Sequence, residues 1–61
     1  MEQTKFYLVM LDNNTRFYIH KINLSEIKYC SKDMIEDTDN WFNDEVEAWT
    51  VGFDKIKVGG F

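Results

Sequence analysis

Bulky apolar side chains crowd Thr4 to Leu11, stop at Asp12-Asn13-Asn14-Thr15, and resume from Arg16 to Ile22. Two strands of this composition, separated by a polar break, read as a β-hairpin. Asparagine adopts positive φ more readily than other non-glycine residues, so Asn13-Asn14 predicts a two-residue turn. That turn sets Met10 opposite Phe17, Val9 opposite Tyr18 and Leu8 opposite Ile19. One face then carries Phe6, Leu8, Met10, Phe17 and Ile19 and forms a core. The other carries Tyr7, Val9, Leu11, Tyr18, His20 and Ile22, too apolar and aromatic for a solvated surface. So short a chain has little left to cover it, and a homodimer interface built on Tyr7, Val9, Tyr18 and His20 is the expectation.

Beyond the hairpin, Asn23-Leu24-Ser25-Glu26 resembles a helix start, with Asn23 or Ser25 as the cap and Glu26 three residues after Asn23. Leu24, Ile27, Cys30 and Met34 follow at helical spacing. A third strand over Glu26 to Ser31 is the competing reading, because Ile27, Tyr29 and Cys30 suit a sheet. Asp37-Thr38-Asp39-Asn40 reads as a turn, with Trp41 and Phe42 anchoring it to the core. Glu45 to Phe53 is predicted as a strand, with Val46, Ala48 and Thr50 on one side and Gly52 marking a bulge or bend. Ile56 and Val58 extend it or form a short strand, and Gly59-Gly60 loosens the tail before Phe61. The fold class expected is α+β: one domain over residues 1–61, a three-stranded antiparallel sheet made of the hairpin and a C-terminal strand, and one helix packed on it.

With 61 residues, the chain is too short for several domains or for a deep active-site cleft, and marginal as an isolated fold. An aromatic fraction of 16% still marks it as folding. The single cysteine, Cys30, precludes an internal disulfide, and the start of the chain has neither the basic stretch nor the cleavage site of a signal peptide. The run Phe6 to Leu11 is far short of a membrane span. A cytoplasmic protein without membrane association is expected.

Catalysis finds few residues to rest on. His20 is the only histidine, Cys30 sits on an apolar stripe, and nothing in the spacing brings the two together as a nucleophile pair. Zinc requires more soft ligands than these two. A calcium loop beginning at Asp37 fails where it matters, with Phe42 at the glycine position and Ala48 where a bidentate glutamate belongs. No metal, cofactor or enzymatic activity is expected.

Charge is the more informative property. Seven Lys or Arg against eleven Asp or Glu leave a net charge of −4. Asp33, Glu36, Asp37, Asp39, Asp44, Glu45 and Glu47 lie in one block with no Lys or Arg among them, and the remainder of the chain is net positive. That sign disfavours direct nucleic-acid binding. A run of acids is commonly a solubilising loop. Held rigid, however, closely spaced carboxylates reproduce the charge density of a nucleic-acid backbone, and Trp41, Phe42 and Trp49 beside them offer the apolar contacts that charge alone lacks.

The residues Phe17-Tyr18-Ile19-His20-Lys21, then Leu24-Ser25-Glu26-Ile27, resemble a family: the short phage-encoded uracil-DNA glycosylase inhibitors of the dimeric, DNA-mimic kind. The turn Asp12-Asn13-Asn14 and the ending Phe53-Asp54-Lys55-Ile56 are also similar to that family's acidic turn and closing strand. The resemblance touches about half of the chain, mainly residues 6–29. It implies a homodimer with an acidic, DNA-like surface and an apolar pocket that takes up the leucine the glycosylase otherwise wedges into DNA. Ile27 then stands where the family has a helix phenylalanine near that pocket, with Glu26 as an acidic neighbour. The chain departs from the pattern at Lys28, where the family has glutamate, and in an inserted segment around Ser31 to Asn43.

Together these readings expect a stoichiometric inhibitor of a host DNA-processing enzyme, uracil-DNA glycosylase first. Partner contacts are expected at Glu26, Ile27, Asp33, Glu36, Asp37, Asp39, Trp41, Asp44 and Glu45. The alternatives are an inhibitor of another nucleic-acid enzyme (a nuclease, a CRISPR effector or a restriction enzyme) and a non-inhibitory interaction subunit.

Overall fold

A computed structural model describes residues 3–59. Strand β1 (Thr4–Leu11) and strand β2 (Arg16–Asn23) form the hairpin in the register expected, Met10 opposite Phe17, Val9 opposite Tyr18 and Leu8 opposite Ile19. The turn itself is wider than two residues. Asp12, Asn13 and Asn14 all take positive φ, at 49°, 57° and 67°, and the Thr15 amide donates back to the Leu11 carbonyl at 3.1 Å. Arg16 Nε closes the loop from outside by donating to Asp12 Oδ2 at 2.6 Å. The centre of the turn stays between Asn13 and Asn14, so its widening leaves the register unchanged.

A 3-10 helix (Leu24–Tyr29) follows β2 directly. Cys30 and Ser31 are extended, and a short helix α1 (Lys32–Glu36) begins afresh, its Met34 amide donating to Ser31 Oγ at 3.3 Å. The helix expected to run unbroken through Met34 is therefore two pieces, and Glu26 to Ser31 is not a strand. Asn23 is the residue before the first piece, but its side chain makes no capping bond. Ser31 intercepts the apolar periodicity because its hydroxyl satisfies a new helix start better than it continues an old one. A second 3-10 turn (Thr38–Asn40) leads into β3 (Trp41–Phe42), which pairs antiparallel with β1 through Phe6 opposite Phe42 and Tyr7 opposite Trp41. Trp41 and Phe42 thus anchor the acidic segment as expected, by joining the sheet. The strand order is β2-β1-β3.

The last element is a helix, α2 (Glu45–Gly59), where the sequence reading placed a strand over Glu45 to Phe53. Asp44 caps it, its carboxylate accepting from the Val46 amide at 3.0 Å and its carbonyl accepting from the Ala48 amide at 3.1 Å. Asp44 with Glu47 three residues on is a helix-start signature that the strand expectation, built on the β-branched and aromatic residues, did not take into account. Thr50 turns its hydroxyl onto the Val46 carbonyl at 2.9 Å, a bond available only in a helix. The fold is α+β, a three-stranded antiparallel sheet with a helix packed on it; the strand that completes the sheet comes from the middle of the chain and the helix from its end. Gly60 and Phe61 lie outside the described residues.

Alternation from Leu8 and Phe17 places α2 on the face expected to be the core. Leu8 is 2% exposed and Ala48 fully buried. Gly52 lets the helix approach: a Cβ there would meet the Phe17 ring at 2.6 Å. Gly52→Val is accordingly expected to destabilise the fold by ~1–3 kcal/mol through overpacking, despite its better helix propensity. A urea denaturation midpoint equal to that of the parent chain would contradict this.

Candidate functional site

The acidic segment is tied to the second face of the sheet. Tyr7 stacks against Trp41 with ring centroids 4.8 Å apart, and its hydroxyl donates to Asp37 Oδ2 at 2.9 Å. Asn40 Nδ2 donates to the same oxygen at 2.7 Å. Trp41 Nε1 donates to the Met34 carbonyl at 2.6 Å, which fastens α1 to β3. Lys5 reaches from β1 to the Asn43 side chain. Part of the face expected to await a second subunit is therefore covered by the chain's own middle. Ile22 is buried at 8% exposure and Tyr7 half-buried, whereas Leu11, Tyr18 and His20 at the turn end stay exposed and Val9 is half-buried.

Between this segment and the sheet lies an open cleft of about 210 Å³ lined by Lys5, Ile27, Ile35, Thr38, Trp41 and Asn43. That is below the size of ordinary small-molecule pockets and suits an inserted side chain. Two residues named from the sequence, Ile27 and Trp41, meet here although they come from different elements. Glu36, Asp37, Asp39 and Asp44 adjoin the lining residues Ile35, Thr38 and Asn43 in the chain, and no carboxylate lines the cleft itself. Glu26 is not in this cleft; it lines a second one with His20, Lys21, Ile22, Tyr29 and Cys30. Lys5, Ile35, Thr38 and Asn43 escaped the sequence reading. Alternation puts Lys5 on the Tyr7 face, but without β3 paired to β1 there was no reason to set it beside Asn43.

The seven carboxylates of the block differ in what they do within the chain. Asp37 accepts two hydrogen bonds, Asp44 caps α2, and Glu45 and Glu47 occupy the first turn of that helix, where negative charge is favoured. Glu36 faces Lys32 at 3.9 Å, an exposed pair of small energetic consequence. Asp33 and Asp39 are exposed.

The bonds from Asn40 and then Tyr7, helped by the charge of Lys55 and opposed by burial, hold the Asp37 carboxyl below the usual carboxylate range. Burial first, then the bond to Asp37 and the nearby negative charge, pushes the Tyr7 hydroxyl up. A depressed carboxyl stabilises the fold fully above its unfolded pKa of about 3.9, and that contribution is lost as pH falls through the lower folded value. A raised phenol stabilises the fold below about pH 10, and its share is lost as pH rises through the higher folded value. Asp37→Asn is thus expected to flatten the acid limb of the stability profile, measured as urea midpoints between about pH 2 and pH 6. An unchanged acid limb would remove Asp37 from this role.

Among the described residues, no three His, Cys, Asp or Glu side chains form a group able to hold a metal ion, and no helix is long and apolar enough to cross a membrane. No protein-family model matches the chain, and no curated protein or solved structure is significantly similar to it.

Proposed function

We propose that this chain is a non-enzymatic protein ligand that occupies the cationic, DNA-binding groove of a host enzyme, presenting ordered carboxylates around an apolar cleft. The observation that carries this reading is the clamping of the base-free block Asp33 to Glu47 onto the sheet through Tyr7, Trp41 and Met34, around a cleft that includes Ile27. A fixed array of carboxylates keeps its charge density where a mobile loop would dilute it. The cleft admits a single apolar side chain from the partner, which supplies contact energy that screened charge lacks. Uracil-DNA glycosylase is the first target, on the resemblance of Tyr18-Ile19-His20-Lys21 and Leu24-Ser25-Glu26-Ile27; a nuclease, a CRISPR effector or a restriction enzyme satisfies the same charge logic.

One observation favours a second reading, an interaction subunit whose acids serve its own fold. Asp37 and Asp44 are already engaged in hydrogen bonds within the chain. The test therefore uses the carboxylates not so engaged. Binding to purified glycosylase is measured by calorimetry across a salt series, with uracil-containing DNA as competitor, for the parent chain and for Asp33→Asn, Glu36→Gln, Asp39→Asn combined. Mimicry expects equimolar inhibition of excision, affinity falling steeply with salt, and at least a tenfold (~1.4 kcal/mol) loss in the triple variant. Absence of inhibition removes the glycosylase as target. Binding that neither salt nor DNA weakens, here or with another DNA enzyme, removes mimicry.

A further inference from the structure

The outer side of α2 carries apolar groups that the described residues leave largely exposed. Val46 is 71% exposed, Trp49 43% and Phe53 58%. With half-buried Ile56 they recur at the three- and four-residue steps of a helix–helix seam. Phe17 prolongs the stripe onto the sheet, edge-on to Trp49 at 5.0 Å and to Phe53 at 5.2 Å, and these two rings lie 5.6 Å apart. The cluster lies on the opposite side of the sheet from Trp41 and its cleft.

The molecule as a whole is also more open than its mass warrants. Its accessible surface of 4642 Å² exceeds the ~4,200 Å² typical of a 7.3 kDa monomer. Its radius of gyration is 12.0 Å against the ~10.5 Å typical of this length. It is 14 Å thick in its shortest dimension, so one side of α2 cannot be far from solvent. Small domains of this kind commonly complete their core by association.

The order of residues along α2 specifies what completes it. Val51 is a centre of symmetry: Trp49 and Phe53 stand two residues either side of it, Glu47 and Lys55 four, Val46 and Ile56 five, Glu45 and Lys57 six. Apart from Asp54, the acids lie in the first half and the bases in the second. We infer that two copies of this chain pair through α2, antiparallel about a two-fold axis level with Val51, with Trp49 stacked on Phe53 of the second copy. In that arrangement Val46 meets Ile56 of the second copy. The acidic, dipole-positive start of each helix lies beside the basic, dipole-negative end of the other. The charges act as helix ends at matching heights rather than as close ion pairs. Parallel pairing instead puts Glu45 and Glu47 beside their own counterparts. The interface is isologous and closes at two subunits. It stands independently of the inhibitor reading, and it places the dimer contact on the face opposite Tyr18 and His20.

The test is sedimentation equilibrium of the full chain from about 5 to about 500 μM, the range in which a micromolar dimer dissociates. The parent chain is expected to move from monomer to dimer across that range. Val46→Glu is conservative for folding, since residue 46 is exposed in the first helical turn, where a carboxylate is welcome. It is expected to weaken dimerisation at least tenfold with unchanged circular dichroism, as is Phe53→Glu, whereas Tyr18→Glu leaves association intact. In a Cys30→Ser background, Val46→Cys chains are expected to cross-link with Lys57→Cys chains and not with one another. A parent chain monomeric throughout, a dimer indifferent to Val46→Glu, a dimer dissociated by Tyr18→Glu alone, or prompt cross-linking of Val46→Cys chains to themselves would each overturn the inference.

Discussion

Leu8→Ala is expected to remove about half of the chain's folding free energy at 25 °C. Leu8 is the one large side chain, among the described residues, that is sealed from water on all sides. It lies on the middle strand, between β2 and β3, on the face that α2 covers. Removing its isopropyl end forfeits transfer free energy and leaves a cavity that a three-stranded sheet has little freedom to collapse, at a cost of ~2–5 kcal/mol. A chain of 61 residues has ~3–9 kcal/mol of stability in total. The same substitution in a larger domain is tolerated because its loss is a small share of the whole. The check is far-UV circular dichroism with urea titration: a cooperative transition near the parent midpoint would show that the core is not centred on Leu8.

Trp41→Ala is expected to cost ~3–5 kcal/mol and to release the acidic segment from the sheet before the rest melts. Two attachments end with that ring, its stack on Tyr7 and its indole bond to the Met34 carbonyl, and the backbone pairing of β3 with β1 loses the side-chain contact beside it. The Met34 carbonyl also accepts from the Asp37 amide, so α1 and the following turn share one point of support. Trp41→Phe separates packing from hydrogen bonding. It keeps an aromatic ring on Tyr7 but removes the donor, for ~1 kcal/mol. Hydrogen exchange reads both outcomes. In Trp41→Ala the amides of Met34, Ile35 and Asp37 are expected to lose protection ahead of those in β1 and β2, while Trp41→Phe retains most of it. Uniform loss across all of these amides would mean that the segment is not a separable unit.

These two residues also bear on function. If ordered carboxylates are what a cationic groove recognises, Trp41→Phe should bind nearly as the parent chain does. Trp41→Ala should then bind poorly even where the sheet still folds, because the segment that carries the carboxylates is no longer fastened to the sheet.

Legibility differed sharply along the chain. Asn13-Asn14 placed the centre of the hairpin, and every cross-strand pair from Thr4–Asn23 to Leu11–Arg16 follows from that centre. Period-two alternation then assigned Leu8 and Phe17 to one face and Tyr7 and Tyr18 to the other. These features are local: a turn and a pleat need only adjacent residues to specify them. The acidic block and its freedom from bases were readable for the same reason.

What could not be read locally was which element would complete the sheet and which would cover it. Glu45 to Phe53 contains enough Val, Thr and aromatic residues to make a strand, and the strand expectation rests on them alone. The choice falls to a helix because Ala48 and Gly52 present a nearly bare side that can lie against the Phe17 ring, a contact between residues more than thirty positions apart. Trp41 and Phe42 could join the sheet only as two residues, too few for any period to register. The meeting of Ile27, Ile35 and Trp41 in one cleft has the same origin. Composition and alternation set what each segment is able to bury; the free energy of burying it against a distant partner selects the conformation it takes.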